Sequence, residues 1–199
     1  MKKTAETKVE IHDIFKDRWS PRAFADKPIE KEKIVAFLEA ARWTMSGYNV
    51  QPWRFIVGVK GTSNYDKVLS CLNEWNQGWA KSAPVLILVV GQRITDFDGS
   101  ENKTFKYDCG AAAAYLVGQA TASGLHAHQM GGVLPDKAKA LYNIPEGFEL
   151  LTGIALGYMG DLDRIDESFH KDEKAPRKRK PLDEIVFGAT WGEGNKDIL

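Results

Sequence analysis

The sequence predicts an α+β fold on three observations. Helical and strand-like apolar periodicities are mixed along the chain without regular βαβ alternation. No GxGxxG motif follows a predicted strand, which argues against a Rossmann fold. The 199 residues are 43% hydrophobic and 11% aromatic, with neither an internal repeat nor a Gly/Ser-rich or Pro-rich linker. We therefore expect a single packed domain over residues 1–199.

The first half of the chain predicts two helices and a strand. Residues 10–17 and 30–42 have the spacing of amphipathic helices, and in the second helix the apolar side chains share one face. Residues 53–60 alternate apolar and other side chains, as a half-buried strand does. The continuous apolar run Pro84–Val90 is typical of a central strand that is covered on both faces.

The second half begins with a helix over residues 106–123 that is rich in Ala and Gly and ends before Gly124, a residue suited to a helix C-terminus. Its small side chains allow close approach of another helix, in the core or at a subunit contact. A strand over 125–129, a helix over 135–142 and a strand over 150–158 follow. The charged residues 161–174 are expected to be exposed.

Composition disfavours several classes of function. Lys+Arg 27 and Asp+Glu 27 balance, so no overall field favours nucleic acid or an anionic membrane. The two cysteines, Cys71 and Cys109, form no CxxC motif, which indicates a reducing compartment. The N-terminus lacks a signal-peptide pattern, and no apolar run reaches the roughly 20 residues of a membrane helix. We expect a cytoplasmic protein. His126 and His128 have no third metal ligand at suitable spacing, so no metal site is predicted.

The segment from Arg18 to Arg22 predicts an anion-binding clamp. Arg18 and Arg22 flank the hydroxyl of Ser20, with Trp19 between them. Guanidinium groups present planar forks of donors that match phosphate oxygens, and a hydroxyl adds a neutral donor. The alternative is a solvated surface or a salt-bridged helix end.

The loop between the second helix and the first strand, Met45–Trp53, is a second candidate site. Its polar side chains, Ser46, Asn49 and Gln51, lie beside Tyr48 and Trp53. Amides next to aromatic rings suit a flat heterocycle with hydrogen-bonding edges. A structural turn, in which Asn and Gln bond the local backbone, explains the same residues equally well.

Two further segments carry candidate ligand contacts. Met130, Gly131 and Gly132 follow a strand, and glycine allows the backbone to approach a ligand; a simple turn is the alternative. In the basic run Arg177–Lys180, Arg177 and Arg179 would point the same way in an extended segment and could share one phosphate. A solvated surface or a nucleic-acid patch is the alternative, and the neutral overall charge disfavours nucleic acid.

Together these pieces resemble the FMN-dependent nitroreductase family of NAD(P)H oxidoreductases. The resemblance lies in the order and spacing of short motifs over nearly the whole chain. These are RxSxR at Arg18–Arg22, NxQPW at Asn49–Trp53, the apolar strand Ala83–Val90, the helix after Asp108 that ends at Gly124-Leu125, MGG at Met130–Gly132 and RxRKPLDEIV from Arg177. Where family members often have Pro-Ser, this chain has Met45-Ser46.

The resemblance implies a mixed four- to five-stranded sheet flanked by helices, in a homodimer with FMN at the interface. It assigns Arg18, Ser20, Arg177 and Arg179 to the FMN phosphate, with backbone from Trp19. It places Arg22 at the pyrimidine edge of the flavin near N1 and O2, and the Met130–Gly132 backbone near N5. Met45, Ser46, Asn49 and Gln51 would complete the cofactor-binding set, with the first three supplied by the neighbouring subunit. The segment Asn73–Trp79 is a candidate cover for the open flavin face.

The implied activity is two-step hydride chemistry without a catalytic side chain. NAD(P)H would reduce the flavin at N5 and leave, and a small electron acceptor such as a nitroarene or quinone would take its place in a ping-pong mechanism. Two alternatives remain open. The scaffold could serve another reduced-flavin reaction, such as dehalogenation, enoate reduction or flavin breakdown. From a different class, the chain could be a non-catalytic flavin-binding regulatory module or a nucleic-acid binder that uses Arg177–Lys180.

Overall fold

The computed structural model describes residues 3–199, and its centre is a four-stranded sheet. The strands are β1 (Trp53–Val59), β2 (Val85–Gln92), β3 (His126–Met130) and β4 (Phe148–Gly157). Their order in the sheet is β1-β2-β4-β3, and all three pairings are antiparallel. The α+β class is thus confirmed. The expectation of a mixed sheet, with parallel and antiparallel pairs, is wrong for these four strands, because every neighbouring pair is antiparallel.

Helices cover both faces of the sheet. They are α1 (Asp13–Asp17), α2 (Lys31–Arg42), α3 (Ser63–Ser70), α4 (Glu74–Ala80), α5 (Phe105–Ala122), α6 (Pro135–Tyr142) and α7 (His170–Lys174). Single 3₁₀ turns lie at Gly47–Asn49, Leu162–Arg164, Glu167–Phe169 and Leu182–Glu184.

Strand β2 is buried along its whole length and divides the core in two. Val85, Ile87 and Val89 point into a cluster that contains the inner faces of α2 and α5. Leu86 and Leu88, on the opposite face, join a cluster that contains apolar residues of α3, α4 and α6. The continuous apolar run predicted this two-sided burial, since alternate side chains of a strand point to opposite faces.

The predicted end of α5 is confirmed. The helix stops at Ala122, and Gly124 adopts a left-handed φ of +76°. The Leu125 N–H donates to the Ala120 carbonyl at 2.9 Å, which satisfies a carbonyl of the last turn. The chain can therefore turn directly into the edge strand β3.

Three segments differ from the sequence-based expectation. Helix α1 begins at Asp13 instead of residue 10, because the His12 ring accepts a hydrogen bond from the Ile14 N–H and caps it. Helices α3 and α4 were not predicted. The segment 161–174, expected to be exposed, forms 3₁₀ turns and α7. It buries Ile165, Phe169 and Glu173, and most of its other side chains face solvent.

Candidate functional site

The segment from Arg18 to Arg22 follows the C-terminal end of α1, where Arg18 adopts an extended conformation. The Arg18 guanidinium donates a hydrogen bond of 3.1 Å to the Ser20 hydroxyl, so the predicted clamp residues do contact each other. The Pro21 carbonyl lies 2.9 Å from Nδ1 of His128 on β3. Trp19 is buried and packs edge-on to His126 of the same strand. The edge strand thereby holds the clamp segment in place.

Arg177 joins this segment from the far end of the chain. Its guanidinium donates hydrogen bonds to the carbonyls of Lys3 and Lys16, at 2.7 and 2.6 Å. Because Lys16 lies in the last turn of α1, Arg177 is placed directly beside Arg18. The Arg179 guanidinium donates to the carbonyl of Lys178 and is exposed.

The electrostatics of this arginine cluster favour an anionic ligand. The pKa of Arg18 is lowered by burial and by the positive charges of Arg177 and Arg179. The pKa of Arg177 is likewise lowered, mainly by burial and then by Arg179. Like charges that face one another in a partly buried place repel, and a phosphate between them would remove that repulsion.

Arg22 has a different environment from the cluster. Its backbone N–H donates to Oε1 of Glu173 at 2.9 Å, and its guanidinium nitrogens lie 3.9 Å from Glu173 and 3.8 Å from Asp172. Those distances are ion pairs rather than hydrogen bonds. Nε of Arg22 is buried and has no hydrogen-bond partner among the described residues.

The Met130–Gly132 turn follows β3, two residues beyond the His128 contact with the clamp. The Gly132 carbonyl accepts hydrogen bonds from the Asn73 N–H at 2.9 Å and from Nδ2 of Asn76 at 3.1 Å. A Cβ atom on Gly132 would lie 2.3 Å from Nδ2 of Asn73, whereas one on Gly131 would meet nothing within 4 Å. The absence of a side chain at Gly132 therefore leaves the space that the side chains of Asn73 and Asn76 occupy.

The Met45–Gln51 loop lies apart from the clamp within one chain. Its hydrogen bonds run within the loop, to Arg54 of β1 and to α5, where Oδ2 of Asp108 accepts from the Gly47 N–H at 3.3 Å. Tyr48, Asn49 and Gln51 all have positive φ, between 51° and 54°, an uncommon conformation for residues other than glycine. The side chains of Met45 and Tyr48 project into solvent.

Sequence reasoning did not assign four side chains that support this site: Asn73, Asn76, His128 and Glu173. Asn73 caps α4 by accepting from the Asn76 N–H at 2.9 Å, and an Asn ahead of a helix was the only sequence signal for it. Burial lowers the pKa of His128 to about 4, so the ring is neutral at pH 7 and serves the Pro21 carbonyl as a donor. Glu173 lies in a stretch whose charged residues are otherwise exposed.

Two features are absent from residues 3–199. No three His, Cys, Asp or Glu side chains in this range are grouped as a metal site requires. No helix in the same range is long and apolar enough to span a bilayer. Fold and site together define an α+β protein with a sheet-backed cluster of guanidinium groups that suits a phosphate-bearing ligand.

Comparison with known proteins gives the family. The nitroreductase family model matches residues 15–69 and 59–158. A solved structure described as an oxidoreductase containing FMN is 35% identical, with a TM-score of 0.88 over 94% of this chain and 95% of that one. A putative NADH dehydrogenase/NAD(P)H nitroreductase of Methanothermobacter thermautotrophicus is 28% identical over 83% of this chain and 86% of its own length. An iodotyrosine deiodinase of Thermotoga neapolitana is 23% identical over 88% and 95%. The chain belongs to the nitroreductase family.

Proposed function

We propose that the protein transfers hydride from NAD(P)H, through bound FMN, to an electron-accepting aromatic such as a nitroarene or quinone. Family membership makes it an FMN-dependent oxidoreductase. The observation that carries the proposal is the convergence of Arg18, Arg177 and Arg179 from opposite ends of the chain. This cluster has the charge and the donors that the terminal phosphate of FMN needs.

The residues present fit the cofactor. Arg18, Ser20, Arg177 and Arg179 would hold the phosphate, with the Trp19 backbone. The buried Nε of Arg22, which lacks a partner in the described chain, is a donor available to the pyrimidine edge of the flavin. The Met130–Gly132 turn would lie near N5, and α4, which packs against this turn, would then border the ring.

When bound, FMN accepts a hydride at N5 and passes it on, so the chain need not supply a nucleophile. The two cysteines fit this, because burial raises the pKa of Cys71 and raises that of Cys109 to about 12, which makes both poor thiolates at pH 7. The role of the chain is to bind and orient the ligands. Arg22 would favour negative charge at the pyrimidine edge.

A homodimer would complete each site, and two surfaces support this part of the proposal. Gly110 and Gly118 lie on the outer side of α5, where an added Cβ would meet nothing within 4 Å, so packing within one chain does not require glycine. From residue 178 onward no side chain is buried, although Leu182, Ile185 and Trp191 are apolar. A second subunit would cover these surfaces, and Met45, Ser46, Asn49 and Gln51 would reach the flavin of that subunit.

The similarity to an iodotyrosine deiodinase favours one second candidate, reductive dehalogenation on the same scaffold. Both reactions would use the same FMN site, so the site residues named above do not separate them. Turnover with nitrobenzene, a benzoquinone and a halogenated phenol would separate the two reactions.

We also propose a cytoplasmic location, which accords with two cysteines that are buried and unpaired.

The test is the visible absorption spectrum of the purified protein before and after anaerobic addition of NADH or NADPH. We expect a yellow protein that bleaches with one of them, and parallel lines when rates are plotted against both substrates. A colourless protein that does not bind added FMN would refute the proposal. Bound FMN that neither nucleotide bleaches would instead indicate a flavin-binding module.

A further inference from the structure

Glu173 is the most deeply buried carboxylate in the described chain, with 1% of its surface exposed. It lies on α7, after the last strand of the sheet. Its Oε1 accepts hydrogen bonds from the backbone N–H groups of Arg22, at 2.9 Å, and Ala23, at 3.4 Å. Burying a charge is costly unless other groups compensate for it. Here the compensation comes from the backbone N–H groups of Arg22 and Ala23, from the guanidinium of Arg22 and from the positive charge of Lys3.

The side chains of Arg22 and Glu173 lie close together but form no hydrogen bond with each other. The nearest guanidinium nitrogen of Arg22 lies 3.9 Å from Oε2 of Glu173. Neither Oε2 of Glu173 nor Nε of Arg22 has a hydrogen-bond partner in the described chain. Asp172, on the same helix, contributes a second carboxylate at 3.8 Å from the guanidinium, and it is much more exposed. The guanidinium is thus held in a negative environment while it keeps donors for another acceptor.

The Arg22–Glu173 pair would shift the reduction potential of a bound flavin in one direction. A cation at the pyrimidine edge stabilises the negative charge that accompanies reduction, and a carboxylate behind that cation offsets part of its effect. The stronger the offset, the more negative the reduction potential and the stronger the bound flavin as a reductant. Because the Glu173–Arg22 pair is largely shielded from water, its electrostatic effect is weakly screened.

We propose that Glu173 is a positioning residue that fixes the backbone and guanidinium of Arg22 and, by offsetting its charge, keeps the reduction potential of the flavin low. This inference rests on the proposed function, since it takes Arg22 to be at the flavin. It makes Glu173 a determinant of which electron acceptors the enzyme can reduce, although Glu173 does not itself touch the flavin.

The test is a spectroelectrochemical titration of flavin-loaded wild type, Glu173→Gln and the control Glu167→Gln, whose side chain is exposed on the neighbouring 3₁₀ turn. Glutamine keeps an acceptor for the two N–H groups and removes the charge. We expect Glu173→Gln to favour the reduced flavin about tenfold, which is about 30 mV for a two-electron couple. The control is expected to match wild type.

Asp172→Asn provides a second variant, because its exposed side chain can be changed without disturbing the core. We expect a smaller shift in the same direction. In an Arg22→Gln background, neither Glu173→Gln nor Asp172→Asn should change the potential, because both act through the guanidinium.

The outcomes distinguish a failure of the proposed function from a failure of the role proposed for Glu173. If wild type binds no FMN, the proposed function fails and this inference fails with it. If wild type binds FMN and is reduced by NAD(P)H, but Glu173→Gln and Asp172→Asn both have the potential of the control, the inference alone is overturned. Shifts that persist in the Arg22→Gln background would also overturn it, since the carboxylates would then act on the flavin directly.

Discussion

The guanidinium of Arg177 donates a hydrogen bond of 2.6 Å to the carbonyl of Lys16, a residue 161 positions earlier in the chain. A second bond of 2.7 Å runs to the carbonyl of Lys3. Both acceptors are backbone carbonyl oxygens, so Arg177 fixes the position of the backbone at Lys3 and Lys16 whatever their side chains are. It is the reason why Arg179 can stand beside Arg18, and the binding predictions depend on it.

Removing two of the three guanidinium groups of the cluster should release the cofactor. A charge-assisted hydrogen bond contributes about 1.5–3 kcal/mol, so we expect Arg18→Ala with Arg179→Ala to raise the Kd for FMN about 100-fold or more. Calorimetric titration of flavin-free protein measures this. Arg93→Ala, which breaks an exposed ion pair with Glu101, is the matched control and should bind FMN as wild type does. Unchanged affinity in the double variant would rule out the phosphate assignment.

The two glycines after β3 should respond differently to alanine. In Gly132→Ala the new methyl group meets the side chains of Asn73 and Asn76, and overpacking of this kind typically costs about 1–3 kcal/mol in the free energy of unfolding. Gly131→Ala enters open space and should stay within about 0.5 kcal/mol of wild type. Urea unfolding of the two variants side by side makes the comparison. Equal losses of stability would contradict the close approach of α4 to Gly132.

His128 should make stability depend on pH. Burial lowers its pKa from 6.5 to about 4, with Arg22 and Arg18 adding to the shift, while the Pro21 carbonyl opposes it. Between these values the unfolded chain binds more protons than the folded one. Stability is therefore complete above about pH 6.5 and is lost as the pH falls towards 4, by about 1–3 kcal/mol.

His128→Asn is the variant that checks this effect, because it keeps a donor for the Pro21 carbonyl and does not titrate. We expect a shallower fall in the free energy of unfolding between pH 6.5 and 4, measured on flavin-free protein by urea unfolding. His126, whose pKa burial also lowers, contributes in the same direction, so some slope should remain. A profile parallel to that of wild type would show that His128 is not the group responsible.

The outer side of α5 should report on assembly. Gly118→Arg places a long, charged side chain where the single chain has free space, so the fold should tolerate it. Because glycine is a poor helix former, the change should also stabilise α5 by up to about 1 kcal/mol. If the surface is a subunit contact, sedimentation velocity should show a monomer, and FMN should be lost with the partner's loop. Ala140→Arg, on the exposed side of α6, is the control and should remain a dimer. A dimeric, yellow Gly118→Arg protein would place the contact elsewhere.

Local patterns predicted most of the secondary structure but not the contacts that assemble the site. The apolar run of β2 and the Ala/Gly composition of α5 each determine an element through near neighbours in sequence, and both were predicted within two residues. Helices α3 and α4 were missed because neither begins with a proline, the signal that marked the equally short helix α6 at Pro135. Their caps, Thr62 and Asn73, were the available signals.

The contacts of the candidate site also fall into local ones, which a sequence motif can predict, and long-range ones, which it cannot. RxSxR contains the Arg18–Ser20 hydrogen bond within three residues, so a local motif could predict it. The bond between the Arg22 N–H and Glu173 spans 151 residues, and no periodicity of a charged stretch marks the one glutamate that packs inward. Such a contact depends on where α7 packs against the Arg22–Ala23 segment, which is a property of the tertiary structure.

The position of Arg177 and Arg179 after β4 has a consequence for biogenesis. During translation the sheet is complete once Gly157 has emerged, while the arginines that would grip the phosphate are still to be made. The strands can therefore pair before the chain could retain a cofactor, although Ile165 and Phe169 of the core also emerge after Gly157. Loading with FMN would then be a late step, because it would wait for the arginines at the end of the chain.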